Sequence, residues 1–586
     1  MHLERARSSY KGKTYTSYRI ARSIRNGNKV EKEVLFPLGA LSDQQANQIK
    51  LILHTINKPD DVLVALDSVV PTKALDYLDV AVANHIWDEW HLDQAFENCT
   101  ESQLTTTQVA RILTVNRCIS PCSNYSIPRW IQRTALPEML GIPIEKLNDD
   151  KIYYELSKIE ENKPQIEKHI FKVTVKKNPK SYSFVNYDLS SSYFVGIRCE
   201  LSQFGKSKDN QSYQRQVVLA LLVNSEGYPF KWDVFPGNQA EVHTLEGNIA
   251  ACRKLGLKSV TMVFDRGLVS KKNLDILSAE KQTKFISALD KPQIPNVKGL
   301  DLSPFGRIPE KSAENKLKSM PGFIPFDDKV FYKDLGVIDG LRHIFSINTK
   351  LLREERKLRR QKLLQFDRFV KDLNAELEVA KRDRDLQATL GKIHTQMRKL
   401  KLKRFFEEPV LNPITVQHNT KKGNPRTVAS FQVTTNKDKA AIDEAKLLDG
   451  TCVFISNHVE KSGRGFAMNA RNILQAYRDK TEIEDAFKNM KSFVKIRPFF
   501  VNTEQHVRAV FTICVLAYHI NKTLARMREE IEGRDYLNSR ELYDPFKDSK
   551  LISMKDTKAG AESTKIVPPS NETKKLLKRL GLSALL

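Results

Sequence analysis

Three acidic residues far apart in the sequence stand where they could hold metal ions. Asp188 closes the β-rich run Val185-Asn186-Tyr187-Asp188-Leu189-Ser190, and Asp265 closes another, Val260-Thr261-Met262-Val263-Phe264-Asp265-Arg266-Gly267. An acid closing an apolar strand of an open α/β sheet reaches a crevice rather than the core, where it can ligate a cation. Either one alone reads as well as a turn former. The third acid, Glu484, lies in the charged segment from Tyr477 to Lys491, where Tyr477, Glu484 and Lys491 stand seven residues apart, with Lys480 and Lys488 nearby. On one continuous helix that spacing is about two turns, so the three share a face. An acid flanked by cations and a phenol suits a metal-bound phosphate, although a solvated helix laced with salt bridges carries the same pattern.

Magnesium takes oxygen ligands and keeps several waters, so carboxylates are the expected residues and His or Cys clusters are unnecessary. At about 4 Å and an effective dielectric of about 20, each pair of carboxylates repels by about 4 kcal/mol, so three converging acids call for a cation. Two ions would activate an attacking water or 3′-hydroxyl and stabilise the leaving oxygen of an in-line displacement. No Ser-His-Asp order and no phosphate loop of the Gly-x-x-x-x-Gly-Lys type is present. ATP-driven chemistry is therefore unsupported.

Composition narrows the partners. Lys plus Arg number 95 against 70 Asp plus Glu, a net charge of +25, with a pI near 9.5. Such a field favours polyanions, nucleic acid first. The longest apolar run, Val507 to Ile520, is interrupted by Arg508 and His519, and Met1-His2-Leu3-Glu4-Arg5 lacks a signal peptide's apolar core. No membrane span is expected, and a cytoplasmic, nucleoid-associated location is. Seven cysteines, scattered from Cys99 to Cys514, form no disulfide framework, and the close pair Cys118 and Cys122 has no companion ligands at metal spacing.

The elements that must position the acids follow from periodicity. At 586 residues the chain calls for several domains. Residues 1–60 read as a β module with a hairpin in Tyr15 to Leu41, turning at Asn26-Gly27-Asn28. Residues 61–180 read as a helical domain, with helical spacing from Thr72 to His169. There Thr105 to Thr107 supplies an N-cap and Ser123 to Arg133 a second helix, which leaves a helix-turn-helix and plain helical packing both open. The first part of the catalytic core, residues 181–290, reads as strands at Ser181 to Leu189, Tyr193 to Cys199, Arg215 to Val223 and Ser259 to Phe264, with a helix at His243 to Leu255. Residues 291–450 read as an insertion with β-rich flanks at Lys329 to Ile347 and Val410 to Thr435. Between them the series Phe366, Val370, Leu373, Leu377, Ala380 and Leu386, Leu390, Ile393, Met397, Leu400 predicts a helical hairpin. Residues 451–530 complete the core with a strand at Thr451 to Ser456, one helix from Asn469 to Lys491 and another from Thr503 to Met527. Residues 531–586 read as a polar tail, peripheral or poorly ordered.

At these residues the sequence resembles the DDE transposases of bacterial insertion sequences, in the group with a Tyr-x2-Arg-x3-Glu-x6-Lys signature. Tyr477, Glu484 and Lys491 fall on its Tyr, Glu and Lys, and Lys480 stands where Arg is usual, keeping the charge without the planar fork. Asp188 resembles the first acid and Asp265-Arg266-Gly267 the second. Phe235-Pro236-Gly237-Asn238, followed by His243-Thr244, resembles a segment carried between them. The resemblance implies an α/β, ribonuclease-H-like mixed sheet core interrupted by a long insertion, with the helical residues 61–180 as the DNA-end-binding domain. It further implies Asp188, Asp265 and Glu484 as catalytic metal ligands for two Mg2+, with Mn2+ as a substitute. Tyr477, Lys480, Lys491 and Arg266 are then the phosphate-binding residues. The expected activity is cleavage and strand transfer on double-stranded DNA, at element ends and target, by a homodimer on paired ends. A transposase-derived DNA-binding protein without catalysis and a nuclease that cuts without joining are the alternatives.

Overall fold

The computed structural model describes the chain except residues 28, 59–63, 65, 98–102, 206–212, 258, 280–282, 420–424, 464 and 559. Asn28 of the expected turn and Cys99 lie outside the described residues. The N-terminal module is three antiparallel strands rather than one hairpin: β1 (His2–Tyr10), β2 (Lys13–Asn26) and β3 (Lys29–Gly39). A helix, Asp43–Ile56, follows from a capping box in which Ser42 and Gln45 satisfy each other's backbone N–H groups.

The segment expected to be helical throughout begins instead with a strand, β4 (Val69–Asp76), and then gives helices at Leu78–Glu89, Thr106–Ile119, Asp149–Glu161 and Lys163–Lys177. Thr105 caps the second of these as its sequence predicts. That helix is buried from Val109 through Asn116, so no face of it is left to enter a DNA groove. Of the Ser123 to Arg133 stretch, Asn124–Ser126 forms a 3-10 turn and Ile127–Ile131 a short helix.

The acids belong to a mixed sheet. β5 (Phe184–Tyr193), β6 (Gln216–Asn224) and β7 (Pro229–Pro236) form an antiparallel meander, and β8 (Val260–Phe264) and β9 (Thr283–Ala288) extend it in parallel from the other side of β5. The meander is a correction. The runs expected at Ser181 to Leu189 and Tyr193 to Cys199 are one strand ending at Tyr193, followed by a single-residue bridge from Phe194 to Phe499. Asp188 therefore sits within a strand and does not close one. β7 escaped the sequence reading because Pro229 and Pro236 bound it, although it takes the edge position where proline is tolerated.

The insertion is not wholly separate from this sheet. β10 (Ile324–Pro325), β11 (Val330–Ile338) and β12 (Leu341–Asn348) pair onward to the later strand at Thr451–Ser456, giving nine strands in the order β10-β11-β12-β15-β9-β8-β5-β6-β7, with β15 that later strand. The helical hairpin is present as Thr349–Glu378 and Leu386–Leu400, with Phe366, Val370, Leu373, Leu377, Ile393 and Met397 buried between them and the ribbon β13 (Val410–Asn419) and β14 (Pro425–Thr434). The small pair β16 (Lys461–Ser462) and β17 (Gly465–Phe466) follows β15.

The helix Glu504–Glu532 is buried from Ala509 to Ala525 between the helical region and the sheet. Its hydroxyls serve the indoles packed on it: Trp232 donates to Thr512 and Trp90 to Thr523, each at 2.9 Å. The apolar run seen in the sequence is thus core, and none of the described helices is long and apolar enough to cross a membrane. The polar tail is ordered, against expectation. β18 (Lys550–Asp556) pairs with β19 (Glu562–Ile566) and, from the opposite end of the chain, with β4. Tyr543 donates to Asn521 of the long helix at 3.0 Å. A few large apolar side chains, Leu542, Tyr543, Phe546 and Leu577, suffice to dock it.

Candidate active site

β5 and β8 run parallel with Tyr187 opposite Phe264 as their last paired residues. Asp188 on β5 and Asp265 just beyond the end of β8 are the next residues along the two segments, and alternation along extended backbone points both to one face. The opposite face is fixed by Tyr187, whose hydroxyl donates to Thr244 at 2.7 Å inside the core. This explains the His243-Thr244 motif: it anchors the rim behind the acid-bearing strand. Gly237, just after β7, packs against the backbone at the start of β6. A Cβ there would overlap the carbonyl oxygens of Gln216 and Gln203, so glycine alone fits.

The expected single helix from Asn469 to Lys491 is two, Ala470–Arg478 and Thr481–Ser492. Asp479 and Lys480 form a tight turn of i to i+3 bonds, Lys480 N to Tyr477 O and Ile483 N to Lys480 O. The break separates Tyr477 from the face shared by Glu484 and Lys491, so the seven-residue spacing has a different meaning from the one expected. Tyr477 packs edge-on against Phe454, with ring centroids 4.9 Å apart, and its hydroxyl donates to Asp265 Oδ1 at 3.1 Å. The second helix buries Ile483, Ala486, Phe487 and Met490 and turns Glu484 outward.

The turn between the helices places Lys480 at the centre. Its Nζ lies 3.6 Å from Asp265 Oδ1 and 3.3 Å from Glu484 Oε1, and its side chain is 8% exposed against 42% and 58% for the two acids. One sequestered ammonium thus joins two solvent-accessible carboxylates that stand more than two hundred residues apart in the sequence. Asp265 Oδ1 also accepts from Arg266 N at 3.1 Å. Burial, and then the Asp265 carboxylate, raise the Tyr477 phenol far above its ordinary range, so it stays a donor. Arg266 Nε lies 3.5 Å from Asp290 Oδ1, both groups half exposed. Lys491 sits in the last turn of the Glu484 helix, partly buried.

A cleft of about 740 Å³ opens beside these groups, with Ser190, Asn238, Asp265, Arg266 and Asp290 on its wall. Asp188 is partly buried, two residues before Ser190 on the same strand. Among the described residues no group of three His, Cys, Asp or Glu side chains is close enough to hold a metal ion. The structure therefore brings Asp265 and Glu484 to one cation and sets Asp188 beside Asp265, without gathering all three into a ligand cluster. Asp290 is the acid that sequence reasoning missed. Its signal was available in Phe285-Ile286-Ser287-Ala288-Leu289-Asp290, an apolar strand followed by an acid, as in Phe264-Asp265.

The donors nevertheless fit divalent metal. They are hard carboxylate oxygens, and two of them, Asp265 and Glu484, are accessible to a hydrated ion and already lie about a positive charge in the form of Lys480.

Residues 194–520 match the family model described as the Transposase DDE domain. That is more than half of the chain, and the chain belongs to the DDE transposases. Residues 3–62, which cover the three-stranded module and its helix, match the N-terminal domain of IS1634 family transposases. Asp188 lies just before the matched DDE segment, so its place in the site rests on strand register. No curated protein sequence is significantly similar to the chain. Among solved structures, the Mos1 transposase paired-end complex with left transposon end shows 11% sequence identity and a TM-score of 0.14, over 32% of this chain and 60% of that one.

Proposed function

We propose that the chain is an insertion-sequence transposase that cuts double-stranded DNA at element ends and transfers the strand to a target, working as a homodimer on paired ends. The observation that carries this reading is the Lys480 ammonium shared by Asp265 and Glu484 beside the neighbouring-strand Asp188. The order β7-β6-β5-β8-β9, antiparallel through β5 and parallel beyond it, supports a ribonuclease-H-like core. The net charge of +25 supports a nucleic-acid substrate.

In this reading Asp188, Asp265 and Glu484 hold two Mg2+, for which Mn2+ can substitute. When bound, the ions lower the pKa of the attacking water or 3′-hydroxyl and stabilise charge on the leaving oxygen. Tyr477, kept protonated, fixes the rotamer of Asp265 through its donated hydrogen bond. Lys480 holds Asp265 and Glu484 together in the resting chain and presents the cation nearest to a phosphate that enters between them. Arg266, steadied by Asp290 on the cleft wall, and Lys491 add phosphate contacts along the strand.

The test is Asp188→Asn, assayed for strand cleavage at element ends in magnesium and for binding of the same DNA. Cleavage falls by three orders of magnitude or more, on the order of 4 kcal/mol of transition-state stabilisation, while binding is kept. Persistent cleavage would falsify the assignment.

A further inference from the structure

The chain that leaves the Glu484 helix runs out along the extension of β5. Phe194 bridges Phe499 in parallel, Val195 N donates to Phe499 O at 3.4 Å, and the two rings stack 6.2 Å apart. From the other side Arg117 clasps the same segment, its Nη1 donating to the carbonyls of Val494 at 3.3 Å and Lys495 at 3.0 Å. Between this segment and the turn that follows the Thr106–Ile119 helix lies a cavity of about 420 Å³.

Its lining is unlike that of the catalytic cleft. Each of the two segments contributes one aromatic ring to solvent: Tyr125 is 75% exposed and Phe500 is 62% exposed. Two cations stand with them. Lys495 is exposed on a left-handed backbone with φ of 52°, a conformation held in place by Arg117 on its carbonyl. Arg497 places its guanidinium 6.0 Å from the Tyr193 ring centroid. Tyr153, packed on His506 at 5.5 Å, completes the wall.

Exposed rings offer faces for stacking and the neighbouring cations pair with phosphate, a combination that recognises single-stranded nucleic acid with little regard to sequence. A duplex keeps its base faces stacked on one another and cannot use the rings, whereas an unpaired nucleotide can. The volume falls within the range of sites that enclose a ligand of that size. Position agrees with this use. Tyr193 stands five residues beyond Asp188 on β5, roughly 16 Å at about 3.3 Å per residue, which is a few nucleotides of extended strand.

We propose that this pocket binds an unpaired nucleotide of the DNA strand that passes through the active site, its base against Tyr125 and Phe500 and its phosphates at Lys495 and Arg497. The proposal rests on the reading above that DNA is the substrate. It adds a single-strand site outside the candidate active site.

The test uses the full chain without metal. Fluorescence anisotropy compares a labelled single strand of about 12 nucleotides with a duplex of the same sequence. Tyr125→Ala and Phe500→Ala each weaken single-strand binding about tenfold and leave duplex binding within about twofold, and Phe500→Trp restores the single-strand affinity. Unchanged single-strand affinity in both alanine variants overturns the proposal. So does an equal loss on duplex, which marks a general phosphate-binding surface. Displacement of the strand by deoxyadenosine monophosphate at a similar concentration also overturns it, because a free nucleotide is then the ligand. No cleavage enters this measurement, so its failure is separable from a failure of the Asp188→Asn assay.

Discussion

Lys480 governs the resting charge balance of the site. Its ammonium, nearly withdrawn from solvent, sits where two carboxylates would otherwise repel. Any divalent ion that takes those oxygens must compete with it. Lys480→Ala is therefore expected to bind Ca2+ several-fold more tightly than the parent without DNA, by titration calorimetry, while cleavage in magnesium falls by tenfold or more through loss of the phosphate contact. A variant that loses metal affinity and activity together would show that Lys480 assembles the acids and does not compete for them. At this scale much was legible in the sequence. Asp265, Glu484, Tyr477 and Lys480 do meet, although not as the spacing suggested: Tyr477 reaches Asp265, and Lys480 joins the two acids. A side chain's partner across a sheet leaves no trace in local spacing, so the strand-then-acid pattern ending at Asp290 marks a candidate acid without showing that it pairs with Arg266.

Elements were legible where periodicity was long and illegible where a break was short. The insertion's helical hairpin follows from its apolar steps, whereas the two-residue turn at Asp479-Lys480 interrupts a segment that contains no Gly or Pro to mark a break. Tertiary packing decides such a break, here the need to place Tyr477 on β8 and the next helix on β5 and β6. The helix Asp149–Glu161 carries a testable consequence of packing. Glu160 is partly buried, one of its carboxylate oxygens has no hydrogen-bond partner among the described residues, and burial, partly offset by Lys163 and Arg508, pushes its pKa from 4.5 up to about 7. A raised folded pKa means that folding favours the proton. The contribution of this group is therefore intact below about 4.5 and is lost as pH rises through about 7. Glu160→Gln should flatten the decline between those values and raise stability at pH 8 by roughly 1–2 kcal/mol, measured by urea unfolding at several pH values, where partial solvent access keeps the effect below the full shift.

At the scale of the whole molecule the fold joins segments that the sequence presents as separate. The sheet takes strands from both sides of the helical hairpin, and β4 near one end of the chain pairs with β18 near the other. Composition alone marks the region beyond Glu532 as a polar tail, because its few apolar anchors are diluted by charge. Those anchors are nonetheless buried against the long helix. Ending the chain at Glu532 is expected to forfeit on the order of 10 kcal/mol of apolar burial, enough to unfold a domain of ordinary stability. Size-exclusion chromatography and a circular dichroism melt should find aggregate and no cooperative transition. A truncated chain that melts like the parent would show the tail to be dispensable.

Whether these carboxylates hold metal over a DNA phosphate is tested most directly by Asp265→Cys. A thiolate is a poor ligand for magnesium and a better one for softer ions. The variant is expected to bind element ends, to fail to cleave them in Mg2+, and to regain cleavage in Mn2+. Cleavage in Mg2+ at the parent's rate would mean that Asp265 holds no metal in the reaction.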